Sequence, residues 1–395
     1  MYNRFLTSQV QFFATKYPIV TVLGPRQSGK TTLVKKAFHH LPYVNLENIE
    51  NRLLAKNDPN SFIAKYPNGA VFDEIQRAPE LLSSIQVKVD EDERKGLFIL
   101  TSSHQLDLHS AISQSLAGRT SILKLLPLSL LELRDNHLEL SLEDVILHGG
   151  YPRIYKDNLP LHNAFTSYFQ TYVERDVRSI INIKDVLVFE KFIKLLAARV
   201  GQIINYSSLA VDVGVSAVTI KQWISILEAS YLIFRLPPYY ENFGKRIIKS
   251  SKIYFLDTGL LCYLLCLENQ EALLKDQFFG NIFENFTILE LYKFFCNNAK
   301  DPRMYFFRDS VGNEVDILLQ KGTTLTPIEI KSSKTFSTAF LSGLNYFYDQ
   351  VSDKAKDGCI IYRGEAEQKI HPYHLYPIEK CTQILEQPNK KGFNQ

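Results

Sequence analysis

The first part of the chain alternates short apolar runs with polar, helix-favouring stretches. Residues 18–22, PIVTV, are apolar and β-branched, and the helix-favouring stretch KTTLVKKAF follows after Gly24. The runs GAVFDE and GLFILTSS are two further strand candidates, separated by polar segments of helical character. Strands that alternate with helices predict a parallel sheet covered on both faces.

From about residue 135 the apolar positions recur at helical spacing, as in NAFTSYFQTYVERDVRSI and VFEKFIKLLAARVGQ. Ser207 and Ser216 are then candidate caps of two short helices, with Gly214 in the turn between them. An aromatic-rich strand follows. Two short helices, a glycine turn and a strand predict a winged helix-turn-helix.

The pattern changes again after Pro237-Pro238. A predicted helix, GNIFENFTILELYKFF, precedes two strands, EVDILLQ and PIEIKS, which are joined through Gly322, and GCIIYRG continues an α/β pattern. The predicted fold class is therefore α/β, with three domains. We expect these to comprise residues 1–134, 135–236 and 237–395.

Composition limits the kind of protein without naming it. The 395 residues are 45% apolar and 22% charged, which is typical of a globular chain with two or three domains. A net charge of +3, with no strongly basic region, gives no support for a nucleic-acid partner. The five cysteines are scattered, and the longest apolar patch, GLLCYLLCL, is about half of what a bilayer span needs. These features predict a soluble, cytoplasmic protein with no membrane partner.

The residues Gly24 to Thr31, GPRQSGKT, match the phosphate-loop pattern Gly-x4-Gly-Lys-Ser/Thr in full. Glycines let the backbone N–H groups face the phosphates, and the following helix N-terminus adds a favourable dipole. Lys30 would reach the β- and γ-phosphates, and the Thr31 hydroxyl would ligate Mg²⁺. The predicted ligands are ATP and Mg²⁺. The residues predicted to bind the nucleotide are Gly24, Pro25, Arg26, Gln27, Ser28, Gly29, Lys30, Thr31, Thr32 and Ser103.

An acidic pair follows the strand GAVFDE. Asp73 is placed to hold Mg²⁺, and Glu74 beside it to polarise an attacking water. The alternative is that the pair only caps the next helix. Because a water-activating acid accompanies the phosphate loop, hydrolysis is favoured over phosphoryl transfer to a small molecule.

Two further candidates complete the predicted ATPase site. Ser103, at the end of the strand LFILTSS, could sense the γ-phosphate or cap a helix. Arg119 could be an arginine finger acting in cis or across a subunit boundary of a homo-oligomer, or it could form a surface ion pair.

Several motifs together resemble those of one family: LGPRQSGKTTL, VFDEIQRAPEL, LTSSHQL, SLAGRTSILKLLPLSLLEL, GGYP, YVERDVRSI, FENFTILEL, RDSVGNEVDILL and IEIKSS. The chain is similar to the bacterial and archaeal AAA+ superfamily ATPases that carry a winged helix and a PD-(D/E)XK nuclease-like C-terminal domain. The resemblance spans about residues 17 to 335, and it implies ATPase roles for Lys30, Thr31, Asp73 and Glu74 and nuclease-like roles for Glu284, Asp316, Glu329 and Lys331. Val315 stands where the motif's name expects proline, and Thr101 where glycine is frequent.

The stretch PIEIKSS places Glu329 and Lys331 on one face of a strand. With Asp316 on the paired strand and Glu284 on the preceding helix, these residues could hold one or two Mg²⁺ ions beside a scissile phosphate. The alternative is a solvated edge strand that carries opposite charges.

We therefore expect a Mg²⁺-dependent ATPase whose nucleotide state drives a conformational change in the C-terminal domain. Two alternatives stay open: an ATP-regulated nuclease that processes DNA, and a non-hydrolysing switch that grips a protein partner. The predicted winged helix offers only Lys221 and Gln222 to a DNA groove, which favours a structural role for it.

Overall fold

The computed structural model describes residues 2–103, 115–177, 185–239, 250–351, 355 and 357–386, with the backbone alone at residues 174–176. The predicted helix NAFTSYFQTYVERDVRSI ends outside these residues, from residue 178 onward.

The amino-terminal region is built on a five-stranded parallel sheet with the order β2-β3-β4-β1-β5. This confirms the predicted parallel α/β architecture. Its elements are α1 Leu6–Ala14, β1 Ile19–Leu23, α2 Lys30–Ala37, β2 Tyr43–Asn45, α3 Ile49–Asn57, α4 Pro59–Ala64, β3 Ala70–Asp73, α5 Leu81–Glu91, β4 Phe98–Ser102 and β5 Thr120–Lys124.

Both faces of the sheet are covered, which explains why its strands are continuous apolar runs. Val20 and Val22 of β1 pack in a cluster with residues of α1 and α2. Ile19 and Leu23 belong to the other cluster, together with residues of α3, α4 and α5. Because all strands are parallel, the ends of β1, β3 and β4 meet at one edge, where ligands bind in such sheets.

Short helices dominate the middle of the chain. They are α6 Leu130–Asp135, α7 Leu142–His148, α8 Pro152–Lys156, α9 Leu161–Tyr168, a π-helical segment Phe169–Val177, α10 Val186–Ala197, α11 Tyr206–Val213 and α12 Ala217–Ala229. The pair α11 and α12 is bent by 100°. Gly214 turns the chain between them at a φ of +91°, in the left-handed region that glycine adopts at low cost.

One of the two predicted helix caps is wrong. Ser216 caps α12 as expected, since its side chain accepts a hydrogen bond from the N–H of Thr219. For α11 the cap is Asn205, which accepts from the N–H of Ser208, and Ser207 lies inside the helix. Asparagine and serine cap helices about equally well, so local sequence does not separate the two positions.

A two-stranded antiparallel hairpin, β6 Ile233–Leu236 and β7 Lys252–Phe255, follows α12. The predicted boundary after residue 236 runs through this hairpin. Among the described residues, no single helix has the length and apolar composition needed to cross a bilayer. The α11 and α12 pair meets those criteria only when both helices are counted together across their bend.

The carboxyl-terminal region carries a six-stranded mixed sheet with the order β12-β13-β11-β10-β9-β8. Strand β9 is antiparallel to both of its neighbours, β8 and β10, and β11 is parallel to β10. The elements are α13 Thr258–Leu264, α14 Gln270–Lys275, α15 Phe279–Asn297, β8 Met304–Arg308, β9 Glu314–Lys321, β10 Thr324–Lys331, α16 Ser342–Val351, β11 Cys359–Tyr362, β12 Gln368–Ile370, β13 Tyr373–Pro377 and α17 Gln383–Glu386.

One hydrophobic cluster joins the three regions. It extends from Ile19 in the first sheet through the middle helices to Cys381 near the end of the described chain. The 19-residue helix α15 has 13 buried residues and packs against both β5 and β10. The two sheets are thus connected through a shared core.

Candidate functional site

The phosphate loop lies between β1 and α2, where the sequence predicts it. Gly24 leaves β1 with a φ of +154°, and Gly29 at +95° precedes the first residue of α2. The N–H of Gly24 donates to the carbonyl of Ser102 at the end of β4, 3.2 Å away. These contacts fix the loop at the carboxyl edge of the sheet.

Replacing Gly24 by alanine is expected to abolish nucleotide binding. An added Cβ would lie 2.1 Å from the carbonyl oxygen of Leu125, so the backbone would have to move. Gly322 also has a positive φ, but it lies in open space. Gly322→Ala is therefore the matched control, since it carries only the conformational cost of about 1–2 kcal/mol. Binding of a fluorescent ATP analogue and thermal unfolding would test this, and equal effects of the two substitutions would contradict it.

Lys30 is buried at the start of α2. Its Nζ donates to the carbonyl oxygens of Gly24 and Pro25, both at 2.9 Å. Burial lowers the pKa of the Lys30 ammonium, and the nearby carboxylates of Glu74 and Asp73 oppose that shift. A buried ammonium facing the loop is placed to meet phosphate oxygens.

Asp73 ends β3 and faces the loop. Its Oδ2 accepts hydrogen bonds from the hydroxyls of Thr31, at 2.8 Å, and Tyr43, at 2.6 Å. Its Oδ1 accepts from the hydroxyl of Thr101 on β4. Asp73 thus bonds side chains rather than capping a helix, and the structure brings it together with Thr31 as the sequence predicts.

Glu74 follows Asp73 in a left-handed conformation with φ of 60°. Its carboxylate accepts from the hydroxyl of Ser103, at 2.8 Å, and from the amide of Gln76. Burial alone would raise the pKa of Glu74, but Lys30 and these hydrogen bonds more than offset it, so the pKa is lowered. The carboxylate is therefore ionised and able to accept a proton.

Arg119 lies far from this group. It precedes β5, and its neighbour Thr120 pairs with Ile19 at the start of β1, which is the edge opposite the phosphate loop. Its guanidinium forms a two-pronged ion pair with Asp90 of α5, with the shortest contact at 2.6 Å. An in-cis role in this site is therefore wrong, because the strand length separates Arg119 from the loop. A role across a subunit boundary stays a prediction.

Arg4 is a contributor that the sequence does not reveal. Its guanidinium donates to the carbonyl oxygens of Ser28 in the loop and Leu126 after β5, each at 2.6 Å, and to Glu132 at 3.0 Å. Glu132 is fully buried and forms a capping box with Ser129 at the start of α6. Arg4 thus ties the loop to the first middle helix. It lies 24 residues from Ser28, so no local pattern signals the contact.

A cavity of about 1300 Å³ opens beside the loop. The phosphate-loop residues, Glu74 and the segment around Arg4 line one part of it, and Tyr172 of the π-helical segment lines another. Glu290 of α15 and Thr382 near the chain end complete the wall. All three regions of the chain therefore border the candidate nucleotide site.

The C-terminal candidates gather at β9 and β10. The Nζ of Lys331 lies 2.7 Å from Glu329 and 3.9 Å from Asp316. The N–H of Ile330 donates to Asp316 at 2.8 Å, which brings the side chain of Asp316 across the hairpin to Glu329. Both carboxylates thus share one end of the hairpin with the lysine.

Glu284 of α15 has a partner that the sequence does not indicate. The Nζ of Lys252 lies 3.1 Å from Glu284 and 2.5 Å from Glu314, and the hydroxyl of Tyr254 also donates to Glu284. Lys252 is buried, with a side chain 3% exposed. Burial would lower the pKa of Lys252, yet the surrounding carboxylates raise it well above its ordinary value. The ammonium of Lys252 compensates the negative charges of Glu284 and Glu314.

Within the described part of the chain, no group of three or more His, Cys, Asp and Glu side chains is arranged to hold a metal ion. The ligand set Glu284, Asp316 and Glu329 therefore stays a prediction. Burial and the neighbouring charge of Asp316 raise the pKa of Glu329 well above its ordinary value, although Lys331 opposes the shift.

The raised pKa of Glu329 predicts a pH dependence of stability. The folded protein protonates Glu329 at a higher pH than the unfolded chain does, so its contribution to stability is lost as pH rises through the folded pKa. We expect wild type to gain melting temperature relative to Glu329→Gln as pH falls from 8 to 5. Thermal unfolding at several pH values tests this. A constant difference between the two proteins would contradict it.

A phosphate loop between a strand and a helix, with Thr31 bonded to the carboxylate of Asp73 at the same sheet edge, defines a P-loop nucleoside triphosphatase. Residues 16–134 match the family model described as an AAA domain. This region is therefore an AAA-type P-loop ATPase domain. Two further models, each described as a domain of unknown function, match residues 139–271 (DUF8612) and 279–381 (DUF4143).

Relatives that match about three quarters of the chain come from several organisms. A Mycobacterium tuberculosis protein described as uncharacterized is 28% identical over 322 residues, covering 80% of this chain and 71% of its own. An uncharacterized Haemophilus influenzae protein is 24% identical, with coverages of 74% and 78%. Among solved structures, a Walker-type ATPase of Pyrococcus abyssi matches with a TM-score of 0.43 and 15% identity, over 66% of this chain and 94% of its own.

Proposed function

We propose that the protein binds ATP with Mg²⁺ at the phosphate loop, hydrolyses it, and uses the nucleotide state to change the conformation of its C-terminal region. The observation that carries this proposal is the contact of Thr31 with Asp73, 2.8 Å apart, beside the ionised carboxylate of Glu74.

The donor set fits Mg²⁺, which prefers hydroxyl, carboxylate and phosphate oxygens. Thr31 lines the cavity, and its hydroxyl lies 2.8 Å from a carboxylate oxygen of Asp73. These two residues would hold the ion, directly or through water. When bound, Mg²⁺ neutralises charge on the phosphates.

Glu74 supplies the base for hydrolysis. A water attacks the γ-phosphorus while Glu74 accepts one of its protons, and the bond from the γ-phosphorus to the bridging oxygen breaks. ADP leaves with the electron pair of that bond, and inorganic phosphate is the other product. Ser103 and Gln76 hold the Glu74 carboxylate in place through their hydrogen bonds. Lys30 offers its charge to the phosphate oxygens.

Helix α15 supports the coupling to the C-terminal region. Near its carboxyl end, Glu290 accepts from the N–H of Leu130 at 2.7 Å, and Lys293 donates to the carbonyl of Leu128 at 2.8 Å. Both side chains are buried, and Glu290 lines the nucleotide cavity. The same helix carries Glu284, which lies 3.1 Å from Lys252. Glu284 belongs to the C-terminal acidic group, which comprises Glu284, Glu314, Asp316 and Glu329. A movement at the cavity can therefore reach that group through one continuous helix.

The C-terminal region supports a restriction-endonuclease-like fold. Helix α15, the antiparallel strands β8 to β10, helix α16 and the parallel strand β11 follow one another in the order expected for a nuclease-like domain. Similarly, the 100° bend between α11 and α12, followed by the β6–β7 hairpin, supports a winged helix. DNA cleavage is the alternative that these two features favour.

We expect Lys30→Met to weaken ATP binding about 10- to 100-fold, since hydrogen bonds to charged groups contribute about 1.5–3 kcal/mol. Methionine keeps the length of the side chain and removes its charge. Lys56→Met on the exposed surface of α3 is the matched control. Calorimetric titration with Mg·ATP measures the affinities. Unchanged binding in Lys30→Met would refute the proposed phosphate contact.

Two assays separate the alternatives. Steady-state release of phosphate from ATP, with and without EDTA, tests hydrolysis. If the protein binds ATP but does not hydrolyse it, the non-hydrolysing switch is the alternative that remains. Mg²⁺- or Mn²⁺-dependent cleavage of DNA that is lost in Asp316→Ala and in Lys331→Ala would favour the nuclease.

A further inference from the structure

Arg26 is a cationic side chain inside the phosphate loop that the hydrolysis scheme does not yet use. It lies between Gly24 and Gly29 and lines the same cavity as Lys30 and Glu74. One guanidinium nitrogen lies 3.4 Å from Glu47, whose side chain is 45% exposed. The guanidinium carbon lies 5.8 Å from the centre of the Tyr172 ring, within the range of a cation–π contact.

The charge of Arg26 acts on Lys30, the proposed phosphate contact, and on Glu74, the proposed base. Burial is the largest influence on the pKa of Lys30, which it lowers, and the Arg26 guanidinium lowers it further. On Glu74, burial raises the pKa, while Lys30, two hydrogen bonds and Arg26 lower it. Arg26 therefore lies near Lys30 and Glu74, and all three side chains line the cavity in which we propose that the γ-phosphate binds.

Tyr172 connects this loop residue to the middle of the chain. Its ring is buried, and its hydroxyl donates to the carbonyl oxygen of Ser230 at 2.7 Å. Ser230 is the C-cap residue that follows the last residue of α12. One side chain thus joins Arg26 to the carboxyl end of the second helix of the helix-turn-helix pair.

We propose that Arg26 is an in-cis arginine finger that contacts the γ-phosphate of ATP. We further propose that Tyr172 transmits a movement of Arg26 to α12. This inference rests on the proposed ATPase function. A guanidinium stabilises charge that develops on the transferred phosphoryl group, and loss of the γ-phosphate after hydrolysis removes that attraction. Arg26 then takes the place in this site that the sequence suggests for Arg119.

Arg26→Ala is expected to lower kcat for ATP hydrolysis at least about 100-fold, because an arginine finger accounts for about 10³–10⁵ in rate. It should weaken ATP binding while leaving ADP binding within about twofold. Arg26→Lys should restore little, since a lysine cannot make the two-pronged contact. The matched control is Arg77→Ala, because Arg77 also approaches Glu47, at 3.8 Å, but does not line the cavity.

The preference for ATP over ADP distinguishes a variant that has lost the γ-phosphate contact from a variant that is misfolded. A misfolded variant loses both nucleotides, and Arg26→Gln then provides a second test at similar volume. If wild type neither binds nor hydrolyses ATP, the proposed function itself fails. If wild type hydrolyses ATP while Arg26→Ala keeps its kcat and its preference for ATP, only the role of Arg26 is overturned.

The single tryptophan of the chain reports on the connection to α12. Trp223 lies in α12 and packs on Phe189 and Phe192 of α10. We expect its emission to differ between Mg·ATPγS and Mg·ADP in wild type. In Tyr172→Phe, which keeps the ring but loses the bond to Ser230, that difference should disappear. An undiminished difference in Tyr172→Phe, or its absence in wild type, would overturn the proposed connection.

Discussion

Glu74→Gln is expected to lower kcat for ATP hydrolysis by about 10²–10⁴-fold, the range contributed by a positioned general base. Glutamine keeps the shape of the side chain and can still accept the hydrogen bond from Ser103. It cannot take a proton from the attacking water. We therefore expect ATP binding to persist while turnover stops, and parallel measurements of phosphate release and nucleotide affinity would show this.

Glu80→Gln, at an exposed position near the start of α5, is the matched control for this substitution. The lowered pKa of Glu74 adds a second expectation, since the carboxylate stays ionised from pH 6 to 8 and kcat should not fall over that range on its account. Equal rates for wild type and Glu74→Gln would remove Glu74 from the mechanism.

Lys252→Met is expected to destabilise the protein by about 3–5 kcal/mol, the range seen when one partner of a buried ion pair is removed. The substitution would leave the largely buried carboxylate of Glu284 without the ammonium that lies 3.1 Å from it, while Glu314 would keep Arg308 at 2.9 Å. Thermal or denaturant unfolding measures the loss. Lys275→Met is the control, because the ion pair of Lys275 with Glu271 is exposed and contributes little.

A double substitution makes this prediction sharper. Lys252→Met combined with Glu284→Gln removes both the ammonium and one of the carboxylates that it compensates. Much of the lost stability should return, because replacing a whole buried ion pair is far less costly than removing one partner. If the double variant were as unstable as the sum of the two single variants, charge compensation would not explain the role of Lys252.

The parts of the site that the sequence predicts well are contiguous. Gly24 to Thr31 form one loop, and Asp73 and Glu74 leave a strand that must end at the same sheet edge as β1. Their chemistry and their positions follow from a motif and from the geometry of parallel strands. The hairpin through Gly322 brings Asp316 to Glu329 for the same reason, since a short turn fixes the register.

The residues that the sequence does not reveal act across long distances along the chain. Arg4 reaches Ser28 and Leu126, and Lys252 reaches Glu284, only because separate elements pack together. The prediction of an in-cis role for Arg119 is wrong because its distance from the phosphate loop also depends on how separate elements are arranged. Its motif position says nothing about which end of β5 it occupies, and the strand register decides that.

The hydrogen bonds of Lys30 to the carbonyls of Gly24 and Pro25 bear on how fast the proposed cycle can turn over. When phosphate leaves the loop, a buried ammonium without acceptors would resist the departure, because an unsatisfied buried charge is costly. Here the loop's own backbone supplies two replacement oxygens. In the proposed cycle, these oxygens would therefore reduce the free-energy cost of releasing phosphate, a step that limits the rate of many enzymes.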